Sequence, residues 1–177
     1  MADSQELDKI RNNVNMVRYR KYICTVFGLE SKAASEDRFV EFFSIKRNII
    51  GKNVVADNEK VRVSKIEEKS VNGREIPSVE FLKSQFEEIR NEISEDKCYY
   101  IVCDFGFYND LNAYRTLLCL ITYIPDDVAD VSEKFTYSKE SLLLQNLLNI
   151  GKPIVVNNWK SLEYENIASI CSGFTKY

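Results

Sequence analysis

The side chains that could do chemistry in this chain are carboxylates and thiols, because its 177 residues include no histidine. That absence excludes a Ser-His-Asp triad, a Cys-His pair and every histidine-ligated metal site. Asp104, Asp126 and Asp127 could act as acid and base or bind Mg²⁺, but adjacent side chains point apart on most backbones. Pro125-Asp126-Asp127 is instead typical of a turn before a helix. We expect no catalytic residue, no cofactor and no metal, and predict that the protein is not an enzyme.

The cysteines are the remaining candidates, five in number and without a Cys-x-x-Cys pair. Cys98 and Cys103 are five positions apart. On a strand this odd spacing places their side chains on opposite faces, so they are poorly arranged to bind a common ion. Cys24, Cys103 and Cys119 lie in apolar runs, where cysteine is usually a small buried side chain. This pattern does not resemble a disulfide framework and favours a reduced, cytoplasmic environment.

The composition limits the partners of the chain. A net charge of -3 and a pI near 5.2 argue against nonspecific nucleic-acid binding, which needs an excess of Lys and Arg on one face. Residues 1–6 are polar and acidic, unlike a secretory signal, and no apolar run approaches the roughly 18 to 20 residues that span a bilayer. We expect one monomeric domain over residues 1–177 with no transmembrane segment.

Periodicity predicts the elements that must position these side chains. Apolar residues at helical spacing predict a helix over residues 4–18, capped by Asp3 or Ser4. The β-branched and aromatic runs 22–27 and 39–45 predict an antiparallel pair of strands.

The middle of the chain has a weaker pattern and then a strong one. Charges and asparagines over residues 46–77 predict a surface insertion or hairpin, to which we assign no chemistry. Apolar spacing after Ser78 predicts a helix over 79–95. The nearly continuous apolar runs 99–108 and 117–123 predict two central strands joined by a hairpin loop.

The last third of the chain predicts a crossover connection. A helix over 132–149, closed by Gly151, is followed by a strand at 154–156, which should lie parallel to the strand before the helix. Ser161 can cap a final helix. The expected architecture is α/β, with a mixed sheet that has helices on both faces.

Three segments in this half of the chain are similar to motifs of one family. Residues 97–105 resemble the strand motif "C-R-Y-x-x-x-D-x", residues 120–126 resemble "F-I-x-W-x-P-D", and residues 131–138 resemble "V-K-x-K-M-x-Y-A". These motifs are those of the actin-depolymerising factor (ADF) homology family, which includes cofilin, coactosin, glia maturation factor and the twinfilin repeats. The resemblance implies the ADF-homology fold, with a central mixed sheet of five to six strands flanked by helices.

The resemblance also implies a site. In this family the helix after the Pro-Asp turn inserts between two actin subdomains, helped by the N-terminal segment and the last helix. Lys134 takes the place of the second lysine of the motif, Phe135 that of the methionine and Tyr137 that of the tyrosine. Ser4 takes the place of a regulatory serine, although a simple helix cap is an equal alternative. The implied actin-binding residues are Ser4, Lys134, Phe135, Tyr137, Ser138, Lys139, Ser141 and Leu142.

The chain departs from the family pattern where charge matters. Ser132 replaces the first lysine of the motif, and Glu133 adds a negative charge beside it. On the surface that cofilins use for filaments, the loop between the central strands offers only Arg115, and the final helix carries Glu163 and Glu165. These three residues are our filament-side candidates, and their charges argue against strong filament severing.

Two functions follow from the resemblance. The first is an ADF/cofilin-type regulator of actin filament dynamics in the cytoplasm, acting through monomer binding and depolymerisation more than through severing. The alternative is a protein similar to glia maturation factor, which binds the actin-related Arp2/3 complex at filament branches. An enzyme on an unrelated α/β fold is a third class, which the lack of catalytic motifs disfavours.

Overall fold

The computed structural model describes residues 2–30, 38–69, 76–128 and 130–175. Its helices and strands are α1 (Ala2–Arg18), β1 (Tyr22–Glu30), β2 (Arg38–Ile49), β3 (Val61–Glu68), α2 (Val79–Arg90), β4 (Tyr99–Tyr108), β5 (Tyr114–Tyr123), α3 (Val131–Leu147), β6 (Pro153–Val156) and α4 (Tyr164–Phe174). None of the helices in these ranges has the length and apolarity that crossing a membrane requires.

The strands form one mixed sheet in the order β3-β2-β1-β4-β5-β6. Neighbouring strands are antiparallel except for the two edge pairs, β2 with β3 and β5 with β6, which are parallel. The parallel β5–β6 pair confirms the predicted crossover through α3, and the β1–β2 pair confirms the predicted antiparallel strands. The ADF-homology architecture expected from the sequence is therefore the observed one.

Helices cover both faces of the sheet, which explains why β4 and β5 are nearly continuous apolar runs. Side chains alternate along a strand, so Tyr100 and Val102 belong to one apolar cluster while Ile101 and Cys103 belong to the other. The first cluster includes the buried residues of α1 and α3, and the second includes those of α2 and α4. Each face of the sheet thus carries two helices.

Of the two alternatives predicted for residues 46–77, a surface insertion or a hairpin, the hairpin was wrong. This segment contains the end of β2 and the edge strand β3, which pairs parallel with β2 from the Ser44–Val61 register onward. A hairpin would have placed the two strands antiparallel. Val61 and Ser64 are the buried residues of β3, and most of its other residues are charged, so the apolar signal was weak. Residues 70–75, which include the predicted Asn-Gly turn, lie outside the described residues.

Several helix ends differ from the predictions. Helix α1 begins at Ala2, so Asp3 and Ser4 lie inside its first turn and do not precede it. Ser78 caps α2 as predicted by accepting a hydrogen bond from the Phe81 amide, but α2 ends at Arg90, earlier than expected.

The final helix also begins later than predicted. Ser161 lies in a short 3₁₀ turn, Lys160–Leu162, and Glu163 is the residue that precedes α4. Tyr164, Ile167 and Cys171 are buried, as the predicted apolar face requires.

All five cysteines are buried and free. Cys98 and Cys103 belong to opposite apolar clusters, which confirms their predicted separation by the sheet. Cys119 lies next to Cys171, with 3.7 Å between the sulfur atoms. This contact and burial raise the pKa of the Cys119 thiol, so it stays protonated and unreactive. Among the described residues, no group of three or more Cys, Asp or Glu side chains is arranged to bind a metal ion.

Candidate functional site

Helix α3 has apolar side chains on two opposite faces. Its buried face consists of Tyr137 and Leu144, continued by Leu148 just beyond the helix. On the opposite face, positions i, i+4, i+7 and i+11 carry a row that we call the α3 stripe: Val131, Phe135, Ser138 and Leu142. Phe135 is 69% exposed and Leu142 is 65% exposed, although both are large and apolar. The α3 stripe is therefore an apolar surface that the fold itself does not cover.

The first turn of α3 is fixed by the turn before it. Asp130 is the N-cap, and its carboxylate accepts hydrogen bonds from the amides of Ser132 and Glu133 at 2.9 and 3.4 Å. The half-buried Lys134 donates from its ammonium group to the carbonyl oxygen of Asp126 in the Pro-Asp turn. Asp126 thus acts through its backbone, and Lys134 lies at the edge of the α3 stripe with its charge at the start of the helix.

Tyr137 anchors the middle of α3 to the sheet and is only 2% exposed. Its hydroxyl oxygen accepts a hydrogen bond from the Leu29 amide at 2.8 Å, and its ring stacks on Tyr100 with centroids 4.8 Å apart. The Tyr100 hydroxyl in turn donates to the Tyr137 carbonyl at 2.7 Å. Burial raises the pKa of Tyr137, which keeps its hydroxyl neutral. A side chain so enclosed has no surface to offer a partner, so its role is to orient the helix.

The other residues of the implied site divide between the two sides of α3. Ser138 and Lys139 are exposed beside Phe135 and Leu142, so these four are brought together on the outer side. Ser141 faces the sheet and shares a 2.9 Å hydrogen bond with the Thr122 hydroxyl.

Ser4 lies apart from these residues, in the first turn of α1, and its side chain is outside what the structure describes. A regulatory role for this serine stays a prediction.

The C-terminal end of α3 is closed by an asparagine and not by the predicted Gly151. Asn149 has a φ of 52°, the left-handed conformation that asparagine tolerates. The Ile150 amide donates to the Gln145 carbonyl at 3.1 Å, which is the long hydrogen bond of a Schellman motif. Arg18 of α1 donates to the next free carbonyls, those of Leu148 and Asn149, at 3.0 and 3.3 Å.

The filament-side candidates do not come together. Arg115 is exposed near the start of β5, and its guanidinium group donates to the Tyr114 carbonyl. The opposite end of α4 is the one that approaches this hairpin, through the Ser172 hydroxyl that donates to Asp110 at 3.0 Å.

Glu163 and Glu165 lie at the beginning of α4, so about 10 to 14 Å along the helix separates them from Ser172 at the hairpin end. Glu165 forms an ion pair with Lys83 of α2, and the hydrogen bond from Lys83 lowers the pKa of this carboxyl group. The negative charge at the start of α4 is therefore partly compensated.

Two exposed apolar residues of α3 were missing from the sequence-based site. Val131 begins the α3 stripe, and Leu143 extends it sideways with 47% of its surface exposed. The spacing of the α3 stripe could have identified Val131, whereas the family motif directed attention to residue types at matched positions. Leu143 and Leu144 differ only in which face they occupy, so the motif alone could not separate them.

Several solved structures share this fold. The ADF-like UNC-60A protein of Caenorhabditis elegans has a TM-score of 0.63 at 11% identity, with 94% of this chain and 93% of that chain covered. Actin depolymerization factor 2 of Plasmodium berghei has a TM-score of 0.60 at 14% identity, with 94% of both chains covered. Cofilin from Streptomyces griseoflavus has a TM-score of 0.58 at 15% identity, with 90% of both chains covered. These likenesses show the fold.

Sequence comparison identifies the family. No curated protein sequence matches the chain at a significant level. The profile of the cofilin/tropomyosin-type actin-binding proteins matches residues 52–172, which is more than half of the chain and includes β3, the central strands, α3 and most of α4. The chain belongs to the cofilin/tropomyosin-type family of actin-binding proteins.

Proposed function

We propose that this protein binds the actin monomer through the α3 stripe and so promotes filament disassembly in the cytoplasm. The observation that supports the proposal is the exposure of Phe135 and Leu142 on a helix whose opposite face already supplies its tertiary contacts. An exposed apolar row of this kind gains free energy when a partner buries it. The proposed role is binding and involves no catalysis.

The charges around the α3 stripe suit a partner surface with acidic groups around an apolar groove. Lys134 lies on one side of the stripe and Lys139 on the other, each within one helical turn of Phe135. Burial of Phe135 and Leu142 would supply most of the affinity, because buried apolar anchors dominate protein interfaces. The two lysines would set the orientation and the association rate.

We propose that monomer binding exceeds filament binding. A filament offers two neighbouring subunits, so tight filament binding needs a second surface in addition to α3. The hairpin between β4 and β5 carries the positive charge of Arg115, whereas the start of α4 carries the negative charges of Glu163 and Glu165. Opposite charges at two separate places match a single acidic partner surface poorly.

A second candidate partner is the Arp2/3 complex, as for glia maturation factor. The observation that favours it is the exposed pair Ser132 and Glu133 in the first turn of α3, where the family motif carries a lysine. Loss of this positive charge changes which partner surface the start of the helix complements.

Titration of fluorescent ADP-actin monomers, together with cosedimentation with filaments, tests the proposal. We expect micromolar monomer binding and weaker retention by filaments. Phe135→Asp should weaken monomer binding about 100-fold, because it places a charge at the centre of the apolar row. Val55→Asp is the matched control, since Val55 is 62% exposed in the β2–β3 connection, and it should bind like the wild type.

Each outcome separates the candidates. Binding to neither actin form would refute the first proposal, and retention on immobilised Arp2/3 complex in the same experiment would support the second. Equal losses for the Phe135 and Val55 variants would show that α3 is not the docking element.

A further inference from the structure

The C-terminal end of α3 has no cation of its own. Its last turn contains no basic residue. The final carbonyl groups of a helix carry partial negative charge, and a cation near them stabilises the helix. This position is occupied in the structure by Arg18, which comes from the last turn of α1.

The Arg18 side chain is held for this contact. One nitrogen of its guanidinium group donates to the Asn15 side-chain oxygen at 2.9 Å, one turn earlier on α1. The other donates to the Leu148 and Asn149 carbonyls. A planar guanidinium group that is fixed at one nitrogen loses little further entropy when the other forms its bonds. Arg18 is therefore preorganised to join the two helices.

Beyond Leu144, the end of α3 is held by Leu148 and Ile150, which are buried, and by the contacts from Arg18. Tyr137 and Leu144 are the buried side chains among the residues of this helix, and they lie two turns apart. Leu142 and Leu143, the C-terminal part of the exposed apolar surface, lie in the turns that follow Tyr137. Arg18 adds polar contacts from another helix to these apolar contacts, so its loss should let the last turn of α3 open more often.

We propose that Arg18 is a positioning residue for partner binding, acting through the C-terminal turn of α3. By fixing the carbonyl groups of Leu148 and Asn149, Arg18 keeps Leu142 and Leu143 in the orientation in which a partner meets them. This inference rests on the proposed docking role of α3. It adds that α1 contributes to the affinity for the partner through Arg18, although Arg18 itself does not touch the partner.

The experiment combines binding with amide hydrogen exchange in the free protein. Arg18→Ala should accelerate exchange in residues 144–150 and weaken actin-monomer binding about three- to tenfold, while residues 131–137 exchange as before. Arg18→Lys keeps the charge and one donor, so it should restore at least half of the lost binding free energy. Arg11→Ala is the matched control, because Arg11 lies on the same helix and pairs with Asp8 one turn earlier, and it should change neither quantity.

The outcomes distinguish this inference from the proposed function. Faster exchange with unchanged affinity for Arg18→Ala would overturn the positioning role, provided that Phe135→Asp still weakens binding. Weaker binding with unchanged exchange would also overturn it, since Arg18 would then contact the partner directly. If Phe135→Asp binds normally as well, the docking role of α3 fails, and the positioning role falls with it.

Discussion

Helices α3 and α4 both cover the central strands, one on each face of the sheet, but they differ on their outer surfaces. Helix α4 buries Tyr164, Ile167 and Cys171 and exposes polar residues, including Glu165. Helix α3 buries Tyr137 and Leu144 and also exposes the large apolar side chain of Phe135. The exposed apolar face of α3 is not covered by the rest of the described fold, which is why we propose it as the surface for a partner.

The largest expected effect is on the free energy of unfolding, and it should differ between two adjacent leucines, one buried and one exposed, on α3. Leu144 is fully buried, so Leu144→Ala should lower the free energy of unfolding by about 2 to 5 kcal/mol. Leu143 is largely exposed, so Leu143→Ala should change it by less than about 0.5 kcal/mol. Urea denaturation followed by circular dichroism measures both. Equal destabilisation by the two variants would mean that the exposed face also supports the fold.

The next effect concerns charge beside the α3 stripe. Lys134→Glu should weaken monomer binding by about 10- to 100-fold, because an interface cation becomes an anion. Lys65→Glu is its control: it changes the net charge equally, but Lys65 is exposed on β3 at the far edge of the sheet. An unchanged affinity of the Lys134 variant would mean that α3 is not the docking element.

Much of the fold could be predicted because strong local patterns coincide with buried elements. Strand β4 was predicted at its observed bounds, Tyr99–Tyr108, since burial on both faces makes every position apolar. Strand β3 was missed for the opposite reason, because it is an edge strand on which charged residues such as Arg62 and Lys65 are exposed. Its parallel pairing also depends on a long-range contact with β2 that no local pattern encodes.

The candidate site could be predicted in position but not in orientation. The family motif located α3 and named Phe135, which is exposed, together with Tyr137, which is buried. Motif matching compares residue types, whereas burial depends on the rotation of the helix about its axis. The contact between Arg18 and the end of α3 joins residues about 130 positions apart in the chain, so only the tertiary structure reveals it.

A smaller effect is expected from removing the hydroxyl group of one buried tyrosine in each of the two helices. The Tyr137 hydroxyl accepts from the Leu29 amide, and the Tyr164 hydroxyl donates to the Gly106 carbonyl at 2.9 Å. Each phenylalanine variant should therefore lose about 1 kcal/mol of unfolding free energy, the net value of one hydrogen bond. Of the two variants, only Tyr137→Phe should also weaken monomer binding, by about two- to fivefold, because Tyr137 orients α3 and Tyr164 does not. Equal binding losses would show that affinity follows overall stability and not the orientation of one helix.

The smallest effect concerns the ion pair of Glu165 with Lys83 on the α4 side. The hydrogen bond from Lys83 lowers the pKa of Glu165 in the folded protein, so the pair stabilises the fold above the unfolded-state pKa. This contribution is lost as the pH falls through the folded-state pKa, when the carboxylate is protonated.

Glu165→Gln should therefore lower the urea midpoint slightly at pH 7, and this difference should shrink as the pH falls through the folded-state pKa of Glu165. Monomer affinity should equal that of the wild type, unlike that of the Lys134 variant. A clear loss of monomer binding would place part of the docking surface on α4 and remove the contrast between the two helices. Unchanged binding would mean that the charge of Glu165 has no part in docking, which leaves α3 as the proposed docking face.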